Sequence, residues 1–188
     1  MPTVISHSLV AILFGNIFSK STRTKFWILS IVCAVLPDID VIMFSFGIPY
    51  QHIFGHRGIS HSVLFASVIA LLIVLMGFRE IKWNSKLWWS FVLYFFLIGL
   101  SHDILDAMTS GGLGVGFFMP FDSTRYLFSF RPIRVSPLSI IRFFGTEGQR
   151  ILVSELVWIW IPAVVCLFVI RFIKSQKNSN LLKNETLK

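Results

Sequence analysis

The chain has 188 residues, 55% of them hydrophobic and only 14% charged, with a mean hydropathy of +0.76. Soluble domains carry roughly 25% charged residues, so this composition excludes an ordinary water-soluble domain and places one domain in a membrane. The 17 basic residues against 9 acidic ones give a net charge of +8. In so apolar a chain that excess points to lipid headgroups and membrane topology, and no nucleic-acid partner is expected.

Five apolar segments follow in chain order: 4–18, 26–46, 62–78, 87–108 and 156–173. A spanning helix needs about 20 apolar residues. The third, fourth and fifth segments read as full spans, the fifth with a kink at Pro162. The first is short and contains His7, and the second is interrupted by Pro37, Asp38 and Asp40. The expected fold is therefore all-α, a multi-span helical membrane domain over 1–174 with four or five transmembrane helices. A polar, disordered tail is expected over 175–188. No basic residue precedes the first apolar run, so a cleaved signal peptide is not expected. Cys33 and Cys166 both sit in apolar runs and imply packing, not a disulfide framework or a CxxC metal site.

Basic residues set the sides. Lys20, Arg23 and Lys25 lie between the first two segments, Arg79, Lys82 and Lys86 between the third and fourth, and Arg171, Lys174, Lys177 and Lys183 after the fifth. With five crossings these regions share one side, read as cytoplasmic by the positive-inside rule. The long 107–150 loop, with Arg125, Arg131, Arg134, Arg142 and Arg150, then lies outside and is long enough to fold over a site. Its "STRYLFSFRPIR" stretch reads as an interfacial lid with snorkelling arginines. "PIRVSPLSIIRFF" reads as a short extended piece before an interfacial helix, and "TSGGLGVG" (109–116) as a flexible turn.

The same alternation collects polar residues at the outer membrane face. His7 opens the first segment, Asp38 and Asp40 end the second, His56 and His61 precede the third, and His102, Asp103 and Asp106 end the fourth. His102 and Asp106, four apart, share one helix face. Imidazole with carboxylate suits zinc and other divalent first-row metals, and ionisable groups within spans are costly and usually functional. Each group also has a plainer reading. His7 alone could be interfacial, "PDID" could cap and turn the second segment, and "HRGISH" fits no ligand pair on one helix unless a turn at Gly58 folds both rings inward. Asp103 points away from His102 and reads as a neighbour of the ligands or as solvated; His52 reads as a loop residue.

"SHSLVA", "LPDID", "GHRGISHSVLF" and "GLSHDILDAMTSGG", in this order, resemble the YdjM-like family of membrane-bound proteins classed as metal-dependent hydrolases. "MPFDSTRYLFSFRPIRVSPLS" resembles that family's later loop, and the likeness runs from about residue 3 to 140. The family in turn is remotely similar to the all-helical zinc-dependent phospholipases C. That resemblance implies one to three zinc ions, with His7, Asp38, His56, His61, His102 and Asp106 as ligands and Asp40 next in line. The phospholipases also use their N-terminal amine as a ligand; this chain begins "MPTVISH", with no evident processing site.

The chemistry expected is hydrolysis of a phosphoester or lipid ester by metal-activated water in the cell membrane. Asp38 or Asp40, whichever does not ligate, is the candidate general base. Arg57 is the candidate contact for an anionic substrate group, or else an anchor to headgroups. The competing readings are a non-catalytic metal-binding or metal-transporting membrane protein, and a structural or regulatory membrane partner.

Overall fold

The computed structural model describes residues 1–18, 24–136 and 143–186, with side chains described as far as residue 176. The described residues form helices α1 (Val4–Phe18), α2 (Thr24–Val35), α3 (Val63–Gly77), α4 (Lys86–Ala107), α5 (Thr146–Glu155) and α6 (Ile161–Thr186). A 3₁₀ stretch over Leu36–Phe46 continues α2, a 3₁₀ turn over Ile59–His61 precedes α3, and a π turn over Leu156–Trp160 joins α5 to α6. Among the described residues there is no strand, only the isolated bridges Thr109–Ile133 and Val115–Tyr126. The all-helical, multi-span architecture matches the sequence reading.

Among the described residues, three helical stretches are long and apolar enough to cross a membrane: Thr24–Phe46, Lys86–Ala107 and Thr146–Gln176. The second apolar segment is thus a full-length candidate, although the sequence made it weak. Pro37 lies at the start of the 3₁₀ stretch, and the rod narrows there instead of ending. The third segment is the shorter one. Ser62 caps α3 by accepting from the Phe65 N–H, and the helix ends at Gly77 after 15 residues. At 1.5 Å per residue that is about 22 Å, against about 30 Å of hydrocarbon.

The break expected at Pro162 takes the form of the π turn just before it, which absorbs the lost i→i−4 bond. α6 stays helical to Thr186, across most of the stretch that composition reads as a disordered tail. Lys20, Arg23 and Arg142 lie outside the described residues, as do the side chains of Lys177 and Lys183.

Aromatic and small side chains build the core. Phe26, Phe91, Tyr94 and Phe95 pack with Ala11, Cys33, Ala34, Ala70 and Ile98. The Tyr94 hydroxyl satisfies itself inside this core by donating to Ser30 Oγ at 2.9 Å. Cys33 is buried as expected, whereas Cys166 is exposed, and both are free. Leu93, Leu97, Phe168, Val169 and Phe172 remain exposed on the outside of the bundle, as lipid-facing surface must.

The two ends of the bundle differ. At one end Lys25 pairs with Glu80 at 3.1 Å, Arg171 donates to Asn16 Oδ1, and Lys174 donates to the Ile17 carbonyl. The three basic regions that the sequence assigns to one side are therefore neighbours. The opposite end holds the start of α1, the 3₁₀ end of α2, the 55–62 loop, the end of α4 and the start of the last rod. The 108–136 loop folds over that end, bonding Gly116 N–H to the Arg57 carbonyl, Phe128 N–H to the Ala107 carbonyl and Ser136 N–H to the Met1 carbonyl.

α3 and α4 approach closely where Gly99 faces Ala66; a β-carbon at 99 would stand 3.1 Å from the Ala66 methyl. Gly99→Val overpacks this crossing and is expected to cost about 1–3 kcal/mol, read as a lowered Tm in detergent. Gly99→Ala should cost less.

Candidate metal centre

The local backbone explains why distant polar residues converge. In a 3₁₀ helix positions i and i+3 eclipse, so Pro37 and Asp40 turn to the same buried side while Ile39 stays exposed. Asp38, one step round, faces the end of α4. There His102 and Asp106 share a buried face, one turn apart. The 55–62 loop presents His56 and His61 from a tight fold in which Gly58 packs on backbone: a β-carbon there would lie 2.1 Å from the Ile53 carbonyl oxygen. Both imidazoles are buried, so the turn at Gly58 folds them inward. Arg57 adopts φ 61°, a left-handed conformation held because Asp40 accepts its N–H at 3.0 Å.

The central feature is a cage of four side chains. His61 Nε2 lies 3.1 Å from His102 Nε2, 3.6 Å from Asp38 Oδ1 and 3.5 Å from Asp106 Oδ2, and His102 Nε2 lies 3.5 Å from Asp38 Oδ1. Tetrahedral ligands about 2.0–2.2 Å from zinc sit about 3.3–3.6 Å from one another. The four residues can hold a metal ion. Their environment fits one too: both oxygens of Asp38, Oδ1 of Asp106 and both ring nitrogens of His7 are buried without a hydrogen-bond partner, and Asp106 Oδ2 meets Arg57 Nε. Polar atoms are rarely left so, and several of them facing one point fit a cation.

Partners behind the cage orient it. His102 Nδ1 donates to the Ala34 carbonyl at 2.8 Å, leaving Nε2 as the inward lone pair. His61 Nδ1 faces Asp40 Oδ2 at 3.0 Å, the carboxylate–imidazole arrangement that stands behind metal-ligating histidines. Asp40 also takes His56 Nδ1 at 2.7 Å and the Ser60 hydroxyl. Asp40, His56 and His61 form a second group able to hold a metal. Because the Nδ1 of His61 meets Asp40 while its Nε2 meets the cage, we read Asp40 and His56 as the support of His61. Burial disfavours charge on His61, but Asp106, Asp38 and Asp40 outweigh it and raise its pKa well above the usual imidazole value. A proton is held where a cation would sit.

His7 stacks on His102 with ring centroids 3.8 Å apart and places Nε2 3.9 Å from Asp106 Oδ1. The Met1 amine lies 4.0 Å from the same oxygen. Asp103 is buried with Oδ1 unpartnered, so it is not solvated. His52 stays on the exposed loop, as read.

Arg57 departs from its reading as a substrate contact or headgroup anchor. Its side chain is buried, with Nε 2.8 Å from Asp106 Oδ2 and further bonds to the Gly111 carbonyl and Thr109 Oγ1. It neutralises and fixes Asp106. The "TSGGLGVG" stretch is a fitted turn: Gly112 has φ 93°, and a β-carbon there would stand 2.7 Å from Arg57 Nη1. Arg125 does not snorkel. It donates to the carbonyls of Tyr50, His52, His56, Arg57 and Gly114, pinning the lid to the histidine loop.

The family profile described as YdjM inner membrane protein matches residues 1–178. The chain belongs to the YdjM inner membrane protein family. Among its relatives is the inner membrane protein YbcI of Escherichia coli strain K12, 37% identical over 166 residues, which covers 88% of this chain and 94% of YbcI. No solved structure matches the chain. The family and the apolar helices place this YdjM-family member in a membrane.

Two outcomes test the cage. Asp40→Asn removes the carboxylate behind His61 and is expected to weaken zinc binding about 10–100-fold, measured by competition with a chromogenic chelator. Because His61 holds a proton below its raised pKa, metal must displace it. Zinc uptake should therefore release protons in unbuffered solution, and affinity should rise with pH.

Proposed function

We propose that this chain is a membrane-bound metal-dependent hydrolase of phosphoester or lipid ester bonds, with divalent cations, zinc foremost, held by His61, His102, Asp38 and Asp106. The observation that carries the reading is the convergence of those four donors, close enough to hold one ion, on buried oxygens without hydrogen-bond partners. The two-nitrogen, two-oxygen set suits zinc and other first-row divalent ions. His7 and the free Oδ1 of Asp106 lie beyond what one tetrahedral ion needs, which supports a second ion. The resemblance to zinc-dependent phospholipases C supplies the reaction class.

A cation held by His61, His102, Asp38 and Asp106 would lower the pKa of a bound water and polarise a phosphoryl or acyl oxygen. The chain's own residues do the rest. Asp38 is the least buried of the four, and its Oδ2 is free to take the proton from the attacking water. Asp40, already bonded to His56, Ser60, His61 and the Arg57 N–H, orients and does not act as base. Arg57 holds Asp106 in place, and the 108–136 loop excludes bulk water.

The cationic end, with Lys25, Lys82, Lys86, Arg171 and Lys174, faces the cytoplasm under the positive-inside rule, which puts the cage on the extracytoplasmic face. The arginine-rich loop on the cage side opposes this orientation, but Arg125 is accounted for by its bonds to the histidine loop. A second reading, a cation kept for structure or transport, is favoured by the near-complete burial of His61, His102 and Asp106, since closed four-ligand sites are commonly structural.

Purified protein assayed on chromogenic phosphodiesters and on phospholipid vesicles separates the two. Hydrolysis lost with chelator, restored by zinc and lowered about 100-fold or more by Asp38→Asn is the result expected; metal-replete protein inert on every ester favours the second reading. For orientation, a cysteine at 52 should be labelled from outside and one at 83 only from the cytoplasm. The reverse pattern overturns the orientation.

A further inference from the structure

Glu155 is a carboxylate with no role in the cage. It closes α5, just before the π turn within the long apolar stretch Thr146–Gln176, fully buried, and no cation is paired with it among the described residues. Its partners are neutral and come from the other end of the chain. The Thr3 N–H donates to Oε1 at 2.6 Å, while the hydroxyls of Thr3 and Ser6 donate to Oε2, each at 2.6 Å. Hydrogen bonds to an ionised acceptor are roughly twice as strong as neutral ones.

The backbone of the last rod is shaped to the same contact. Residues five apart on an α-helix point about 140° from each other at 100° per residue, so Glu155 and Trp160 would not face one neighbour. The π turn over Leu156–Trp160 reduces that angle. Trp160 Nε1 donates to Ser6 Oγ at 2.7 Å, and the Ser6 hydroxyl in turn donates to Glu155 Oε2. Two side chains flanking the π turn thus hold one serine.

What they hold is the first turn of α1. The Thr3 carbonyl accepts from the N–H groups of Ser6 and His7 at 2.9 and 3.3 Å. His7 then reaches Asp106 from the next turn with both ring nitrogens otherwise unpartnered. No hydrogen bond from its own ring fixes it, so its placement depends on the segment that carries it.

We infer that Glu155, with Trp160, is a positioning residue that clamps Thr3 and Ser6 and so holds His7 against Asp106. The inference rests on the cage reading above. It makes the last span a working part of the centre, although that span contributes no ligand.

The test is cobalt(II) titration of the full-length protein in detergent, reading affinity and the visible spectrum. His7→Ala defines the part of the cobalt signal that His7 contributes. Glu155→Ala is expected to reproduce that loss, weakening cobalt about 10–100-fold as lost supporting partners do, with Tm recorded in parallel. Glu155→Gln, which keeps the shape and one acceptor oxygen, should recover part of it. A Thr3→Val/Ser6→Ala variant removes the same bonds from the α1 side and should behave like Glu155→Ala if the latter folds poorly. Combining Glu155→Ala with His7→Ala should add little beyond His7→Ala alone. Wild-type affinity and spectrum in Glu155→Ala, or full additivity with His7→Ala, overturns the inference. Wild-type protein that takes no cobalt overturns the cage reading itself, and the clamp's role with it.

Discussion

Negative charge enclosed in an apolar bundle needs positive charge beside it. Asp38 and Asp106 are shut away from water at the ends of two apolar helices, and an unpaired ionised carboxylate there is very costly. Arg57 offsets part of the charge on Asp106, and a protonated His61 offsets part of the rest. Yet both oxygens of Asp38 and Oδ1 of Asp106 still lack a hydrogen-bond partner. The helix ends, the histidine loop and the lid are arranged so that this deficit falls at one place.

Around it the molecule separates two tasks. The aromatic and small-residue core sets how α1, α2, α3 and α4 pack, and hence where their polar ends meet. The supporting hydrogen bonds then fix ring orientation: Ala34 for His102, Asp40 for His61, and the Glu155 clamp for the turn that carries His7. Arg125 ties the lid across the loop through backbone carbonyls alone, so the lid closes without occupying the donors that face the cage.

Much of this was legible in the sequence because helix ends are. Alternating spans send His7, "PDID", "HRGISH" and His102-x-x-x-Asp106 to one face, and those residues do gather there. The second segment was underrated because a proline in an apolar run reads as a stop, whereas a change to 3₁₀ winding accommodates it at Pro37. The third forms a helix, Val63–Gly77, almost as the sequence bounds it, apolar throughout but shorter than the other candidates. Arg57 and Arg125 could not be assigned, since an arginine beside histidines looks the same whether it faces solvent, phosphate or a buried carboxylate. Glu155 was invisible for a different reason: its partners lie about 150 residues away, and only the closeness of α1 to the last rod brings them together.

The central claim is that a cation completes the cage. X-ray absorption at the metal K-edge, on protein purified without added chelator, addresses it directly. The account expects zinc or another first-row divalent ion in a nitrogen and oxygen shell near 2.0–2.2 Å, with imidazole scattering that diminishes when His61 and His102 are replaced. Protein without bound metal, or a metal whose shell is unchanged by those replacements, would contradict it.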